Sequence, residues 1–515
     1  MAFQSRKGLG APFNSIFSWL IKKRVHQIEL FKQHPFDVQR EMLSELLSSA
    51  SSTEFGLKHN FSKIGSYDTF KKFVPLQTYE DINTYVQRLL EGEQNILWPG
   101  EITWFAKSSG TTKSISKLIP VSKQSLNETH YKGGKDLLGI YYSLHPKTKL
   151  FNGKHLIVGG SAEINYFNQN SYFGDLSSII VKNLPWWCEW RRTPSREIAL
   201  LSEWEEKLER MAKATAKEDV HIIAGVPSWT LVLLNKILKN EGANYIDEVW
   251  PNLELYMHGG VNFAPYKKQF ESIISKRDMN YVQTYNASEG FFAIQDTARG
   301  DDMLLMLDYG IFYEFIPMDQ FDGVNSETVS IEDVQIGKNY ALVISTNGGL
   351  WRYIIGDTVT FTNTAPYRIK VTGRTTHFIN AFGEELIEDN ANSALAQTCH
   401  KLNCKVKEFT AFPVHMDAEA KGGRHHWLVE LEAGDPDLET FTNTLDEQLK
   451  QVNSDYEAKR SNNLSLNLPK VTFLQKGTFY AWLQEKNKLG GQNKIPRLQN
   501  DDKMGMDILN LGNKH

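Results

Sequence analysis

The sequence predicts an α/β fold, with a large N-terminal domain of alternating strands and helices followed by a smaller α+β C-terminal domain. Three observations lead to this reading. Short β-rich runs alternate with longer helical ones through most of the chain, the pattern that helical crossovers between largely parallel strands produce. The character changes after Gly373-Arg374, where strand-like and helical runs fill a further unit of about 140 residues. Finally, 515 residues exceed what one hydrophobic core usually serves, so two or more folded units are expected. The expected division is 1–373 and 374–515, with a hinge at about 373–376.

Residues 11–50 carry apolar side chains at helical spacing, among them Ile16, Leu20, Val25, Ile28, Phe31, Val38, Met42 and Leu46, so a helical lead-in is expected. Pro75-Leu76-Gln77-Thr78 reads as a turn, and Tyr79-Glu80-Asp81 as an acidic start to a helix over 79–91. The apolar runs Ile102 to Ala106 and Leu118 to Val121 predict two strands around a hydroxyl-rich loop. Strands are then expected at His155 to Gly160, Val220 to Gly225, Leu253 to Met257, Met279 to Thr284, Ile311 to Ile316 and Tyr340 to Ser345. Helices are expected over 201–216, 228–240 and 264–276. In the C-terminal unit, strands are expected at Lys407 to Val414, His426 to Leu431 and Val471 to Leu474, with helices near 385–401 and 437–453. Internal repeats and low-complexity tracts are absent from the sequence.

Charge and cysteine usage narrow the function classes. Fifty-seven basic and 61 acidic residues give a formal charge of −4, with no basic excess to neutralise a nucleic-acid backbone. Nucleic acid is therefore not an expected partner. Cys188, Cys399 and Cys404 form no disulfide framework, which fits a reducing compartment and predicts a cytoplasmic protein. Cys399 and Cys404 lack a second ligand pair at zinc-site spacing and read as small thiols packed by a helix. The patch Phe13 to Ile21 is too short and too polar to cross a membrane, so no membrane partner is expected.

The chemistry concentrates in four stretches. Ser108-Ser109-Gly110-Thr111-Thr112-Lys113-Ser114-Ile115-Ser116-Lys117 can turn backbone N–H groups, hydroxyls and the Lys117 ammonium toward one anion, the natural candidate being a polyphosphate. Read alone, it is equally a Ser/Thr-rich surface turn. Tyr285-Asn286-Ala287-Ser288-Glu289-Gly290 follows a predicted strand, and carboxyl ends of strands in α/β sheets are where ligands bind. There Glu289 can hold a Mg²⁺ ion bridging phosphate oxygens, and Tyr285 can stack on a nucleobase. In Trp351-Arg352-Tyr353-Ile354-Ile355-Gly356-Asp357, Asp357 can accept hydrogen bonds from a ribose diol. Arg374 of Gly373-Arg374 can pair with a ribose or phosphate oxygen. Taken singly, each of these reads as readily as an ordinary turn.

The order and spacing of the four resemble the adenylate-forming superfamily of acyl-CoA synthetases, peptide-synthetase adenylation domains and firefly luciferase. Within it, the chain is most similar to the auxin-responsive acyl acid amido synthetase family of plants, particularly its bacterial relatives. The loop has that family's Ser-Ser-Gly-Thr-x(5)-Lys form, and the likeness extends through Phe55-Gly56, Tyr79-Glu80-Asp81, Leu97-Trp98-Pro99-Gly100 and Gly225-Val226-Pro227-Ser228-Trp229. The resemblance implies a large adenylate-forming domain with mixed sheets and a small mobile C-terminal domain. It implies an ATP- and Mg²⁺-dependent ligase that converts a carboxylic acid to an acyl-adenylate and passes the acyl group to an amino acid amine. Ser108, Ser109, Thr111, Thr112 and Lys117 would then hold the β- and γ-phosphates and Glu289 the Mg²⁺. Tyr285, Ser288, Gly259 and Gly260 would hold adenine, and Asp357 and Arg374 the ribose and the nearby phosphate. Gly490-Gly491-Gln492-Asn493-Lys494 resembles the superfamily loop that brings a catalytic lysine to the adenylation site, which makes Lys494 a second catalytic candidate beside Lys117.

Two departures stand out. Lys113 and Ser114 occupy loop positions where the family often has a small residue or glycine. Ile354 stands where the Tyr-Arg-x-Gly-Asp motif has its arginine, with Arg352 as the available replacement. An acyl-CoA synthetase and a nucleotide-binding module without turnover are the alternative functions. The aromatic residues Tyr172, Trp186, Trp187 and Trp190 are candidates for an acyl pocket or for plain packing, and His130 and His258 lie near the expected site elements.

Overall fold

The computed structural model describes residues 23–108, 117–159, 165–168, 170–184, 186–201, 204–260, 263–298, 300–375, 378–379, 381–384, 386–415, 422–460, 466–486 and 495–512. Of the expected site residues, Ser109, Thr111, Thr112 and Lys494 lie outside the described residues, as do Lys113, Ser114 and the start of the helical lead-in.

The helices obey ordinary end signals. Tyr79–Leu90 starts where the Asp81 carboxylate accepts a hydrogen bond from the Thr78 N–H at 2.8 Å, and it buries Ile82, Val86, Leu89 and Leu90 along one stripe. Pro227–Glu241 begins on a proline and ends at Gly242, whose φ of +67° suits the left-handed residue that closes a helix.

Strands β1 (Trp104–Ser108) and β2 (Lys117–Val121) form the antiparallel pair on either side of the hydroxyl-rich loop, with Ser108 opposite Lys117. They are followed by β3 (Lys154–Val158), β4 (Asn165–Asn168), β5 (Ser171–Asp175), β6 (Arg192–Thr193), β7 (Val220–Gly225) and β8 (Leu255–His258). Next come β9 (Asn280–Ala287), β10 (Gly290–Ile294), β11 (Met303–Leu305) and β12 (Ile311–Pro317). The series continues with β13 (Asn339–Thr346), β14 (Tyr353–Thr364) and β15 (Tyr367–Arg374). A small sheet has the order β2-β1-β5-β4, and the main sheet of 11 strands runs β12-β13-β14-β15-β11-β10-β9-β8-β7-β3-β6.

The expectation of a largely parallel sheet holds for half of it. Strands β6, β3, β7, β8 and β9 are mutually parallel, and their crossovers include the helices predicted from the sequence. From β9 to β12 every pairing is antiparallel. Where the direction changes, the physical reason is connection length: β9 and β10 are joined only by Ser288-Glu289, and so short a link permits only a hairpin. The strand predicted at Met279 to Thr284 also extends further, through Tyr285 to Ala287.

The C-terminal unit adds the strand pair β16 (Phe378–Ile379) and β17 (Leu386–Ile387) and the sheet β18 (Lys405–Val414), β19 (Arg424–Ala433) and β20 (Lys470–Leu474). Helices Glu388–Lys401 and Leu438–Val452 pack with this sheet. Cys399 and Cys404 are free thiols at the end of the first helix, as the sequence suggested. The unit shares an apolar core with the parallel half of the main sheet, in which Tyr256, Tyr266 and Phe270 join Phe382, Phe409 and Trp427. A second core, under the small sheet and the antiparallel half, gathers Phe55, Phe105, Phe292 and Trp351.

Candidate active site

The carboxyl ends of the parallel strands open into a cavity of about 1150 Å³. Val226 follows β7, His258 and Gly260 end β8, and Tyr285 to Glu289 end β9, and all of them line it. Close approach explains the glycine pair. A Cβ on Gly259 would lie 2.6 Å from the Thr284 carbonyl oxygen, and Gly260 has φ of +82°, where side chains are strained.

The described candidate residues come from distant parts of the sequence to this one place. Asp357 is register partner to Arg374 across β14 and β15, and its Oδ1 accepts from Arg374 Nε at 2.8 Å. Its other oxygen accepts from the Tyr285 hydroxyl at 2.5 Å. Asp357 sits within a strand, because β14 runs on to Thr364. Tyr285 is 8% exposed, and its ring packs on Phe292 at a centroid distance of 4.7 Å. Ser288 and Glu289 form the hairpin turn beside it. Ser108 lines the cavity at the end of β1. Lys117, at the start of β2, holds its ammonium 5.7 Å from the Tyr79 ring centroid, and the Tyr79 hydroxyl accepts from the Leu118 N–H at 2.8 Å.

The electrostatics are those of a site prepared for charge. Burial pushes the Glu289 carboxyl up to about 7, with Asp357 adding to the rise and Lys117 and Arg374 opposing it. Burial and the neighbouring Asp357 carboxylate hold the Tyr285 phenol well above its ordinary range, so it stays a neutral donor. The nearby histidines are poor bases. Burial lowers His130 to about 4 and His258 to about 3, leaving both imidazoles neutral. His130 Nδ1 instead lies 3.1 Å from Asn286 Oδ1 and orients that side chain.

A testable consequence concerns Glu289. Between about pH 4.5 and 7 the folded chain binds a proton that the unfolded chain releases, so wild-type stability falls as pH rises through that window. Glu289→Gln has no such loss. In thermal melts without nucleotide or metal, the variant is expected to exceed wild type at pH 8 by about 1–3 kcal/mol and to match it near pH 5. Equal stability at both pH values would contradict this environment for Glu289.

Arg352 does not replace the arginine missing at Ile354. Its guanidinium donates to Glu314 at 2.9–3.1 Å, to Thr328 Oγ1 at 2.8 Å and to the Val74 carbonyl at 2.8 Å, all in the interior. Ile354 is 9% exposed and packs with Leu76, Ile316 and Val343. Of the suggested aromatics, the side chains of Trp186 and Trp187 lie outside the described residues, and Tyr172 and Trp190 are not among the residues that line the cavity. Trp190 is 76% exposed and Tyr172 stacks on Trp104, while Leu137, Ile140 and Tyr141 of helix Tyr131–Leu144, with Met279 and Val282, line the wall. Helical periodicity alone marks such residues as core, so the sequence carried no sign that this face meets a cavity.

Glu289 offers one carboxylate for a metal. This fits Mg²⁺, which commonly takes one or two carboxylates together with substrate phosphates. Among the described residues no group of three or more His, Cys, Asp or Glu side chains could hold a metal unaided.

Sequence profiles of the GH3 family match the chain over residues 24–279 (GH3 family N-terminal domain), 304–374 (central domain) and 389–503 (C-terminal domain). The chain belongs to the GH3 family. Among its relatives, indole-3-acetic acid-amido synthetase GH3.4 of Arabidopsis thaliana is 24% identical, over 92% of this chain and 91% of that one. The 4-substituted benzoates-glutamate ligase GH3.12 of the same plant is 24% identical, over 89% and 92%. Jasmonoyl-L-amino acid synthetase GH3.5 of Oryza sativa subsp. japonica is 23% identical, over 93% and 95%. The fold is that of GH3.15 acyl acid amido synthetase, with a TM-score of 0.59, 17% identity and 96% of each chain covered. It is shared by 2-hydroxyisobutyryl-CoA ligase, with a TM-score of 0.58, 14% identity and 93% and 92% covered. The large α/β domain and smaller C-terminal domain expected from the sequence are thus those of the GH3 and adenylate-forming ligase fold. No described helix is long and apolar enough to cross a membrane.

Proposed function

We propose that this GH3 protein activates a carboxylic acid with ATP, releasing pyrophosphate, and transfers the acyl group from the adenylate to the amine of an amino acid. The observation that carries the reading is the convergence of Tyr285, Asp357 and Arg374 through two hydrogen bonds, beside Glu289, at the carboxyl ends of the parallel strands. The relatives' names, each a synthetase or ligase joining an acid to an amino acid, support the same chemistry.

In the first step a carboxylate oxygen attacks the α-phosphorus, the bond from that phosphorus to the α,β-bridging oxygen breaks, and pyrophosphate leaves. Charge spreads over phosphoryl oxygens, so donors already in place provide most of the help. Ser108 and Lys117 are assigned to the β- and γ-phosphates, together with Ser109, Thr111 and Thr112. Asp357, held between Tyr285 and Arg374, is assigned to the ribose hydroxyls, with Arg374 near the α-phosphate. Gly259, Gly260, Tyr285 and Ser288 are assigned to the adenine crevice. Bound Mg²⁺, held by Glu289, would neutralise charge on the phosphates. The apolar wall of Leu137, Ile140 and Tyr141 would receive the body of the acid and exclude water from the mixed anhydride.

In the second step the amine attacks the acyl carbon and AMP leaves. Rotation of the unit beginning at 374 about residues 373–376 between the steps, with Lys494 serving the first, belongs to the same proposal. The three free cysteines fit a cytoplasmic location.

The test is pyrophosphate release from Mg-ATP over a panel of aryl, indole and aliphatic acids, with amino acids or coenzyme A added separately. Acid-dependent release together with an amide product is expected. Turnover only with coenzyme A would move the protein to thioester formation. ATP binding without release for any acid would support a nucleotide-binding module.

A further inference from the structure

One wall of the cavity belongs to the C-terminal unit, which contributes Ala381, His415, Lys459 and Asn500. Lys459, on helix Ser454–Arg460, is only 7% exposed, and its Nζ lies 3.8 Å from the centroid of the Trp229 ring. Trp229 stands in the first turn of helix Pro227–Glu241, just beyond the carboxyl end of β7, and lines the same cavity. The lysine stem passes close against Gly383. A Cβ there would lie 3.0 Å from Lys459 Cε and 3.4 Å from Nζ, and the glycine's φ is +87°. An aromatic face on one side and a glycine on the other fix the ammonium at the cavity wall, in cation–π contact with the tryptophan.

Two other cations along the cavity are engaged with carboxylates. Arg374 is bonded to Asp357, and Lys370 is 2.6 Å from Asp301. Lys459 is the lysine that the C-terminal unit brings to the cavity among the described residues. The reaction needs a positive group there. An amino acid acceptor carries a carboxylate into a cavity already occupied by the adenylate's phosphate, and a carboxylate out of water is costly unless a cation meets it.

We propose that Lys459, held on the face of Trp229, binds the α-carboxylate of the acceptor amino acid and so selects amino acids over amines without a carboxylate. This rests on the amide-forming reading above. With the carboxylate anchored, the neutral amine attacks the acyl carbon, the C–N bond forms, the C–O bond to phosphate breaks, AMP leaves with the electron pair, and the amine's proton passes to water.

The test compares kcat/KM for the best acceptor of the amino acid panel with that for its α-carboxamide, in wild type, Lys459→Met and Lys459→Arg. Acid-dependent ATP–pyrophosphate exchange is measured on the same preparations. Wild type and Lys459→Arg are expected to prefer the amino acid. Lys459→Met is expected to lose that preference by roughly 10- to 10²-fold, through a higher acceptor KM. Lys459→Gln gives the same comparison should the methionine variant fold poorly. Exchange with the preference for the amino acid intact in Lys459→Met or Lys459→Gln overturns the Lys459 assignment alone. No exchange in the native protein overturns the amide-forming reading and the assignment with it.

Discussion

Lys117→Ala is expected to lower acid-dependent ATP–pyrophosphate exchange by roughly 10²- to 10³-fold, as loss of one preorganised charge-stabilising donor does. The position of the side chain supports so large an effect. Lys117 is register partner to Ser108 where the two strands meet their connecting loop, and the strand that carries it is tied down by the Leu118 N–H to Tyr79 bond. Its ammonium is close enough to Glu289 to favour that group's ionised form. In the proposed complex it would meet phosphate charge that grows in the transition state. The loss should therefore fall on kcat, with ATP affinity changed less. Because Lys117 is half-buried at a sheet end, thermal stability should change little. Exchange within a few-fold of wild type would remove Lys117 from the phosphate site.

Arg352→Met is expected to act in the opposite way, on stability and not on chemistry. The arginine and Glu314 form an interior ion pair with side-chain exposures of 6% and 0%. The Tyr67 and Thr328 hydroxyls donate to the same carboxylate at 3.1 and 2.7 Å. Removing the cation leaves a buried carboxylate uncompensated, which typically costs about 3–5 kcal/mol. Denaturant unfolding should show that loss, while exchange per folded molecule remains near wild type. Replacing both partners, as Arg352→Met with Glu314→Leu, should recover much of the stability, because the desolvation cost disappears with the second charge. A variant of normal stability with impaired exchange would instead return Arg352 to the nucleotide site.

Arg352 also marks where sequence reasoning reached its limit. The Gly-Asp, Gly-Arg and Tyr-x-Ala-Ser-Glu-Gly motifs were legible one by one, but that Asp357 and Arg374 face each other across one hairpin was not. Helix ends were equally legible, since Thr78, Asp81, Pro227 and Gly242 are local signals. What was hidden depends on distant partners. Arg352 is drawn inward by Glu314, 38 positions away in sequence, with its own φ at +44°. The antiparallel half of the sheet contains tight hairpins at β9–β10 and β14–β15, between strands that individually read like parallel ones. Tyr285 reads from the sequence as a residue that can stack on a nucleobase, and nothing local shows that Asp357, 72 positions on, accepts its hydroxyl. Lys459 and Trp229 carry no motif in common, and only the packing of the C-terminal unit brings them together.

Isotope transfer tests the central claim most directly. With both oxygens of the acid's carboxylate labelled with ¹⁸O, a single turnover in the presence of ATP and the amino acid acceptor should yield AMP carrying one labelled oxygen. The amide should retain the other. Attack of the carboxylate on the α-phosphorus requires that transfer. Label in inorganic phosphate, with ADP as the nucleotide product, would mean activation through an acyl phosphate and would contradict the adenylate reading.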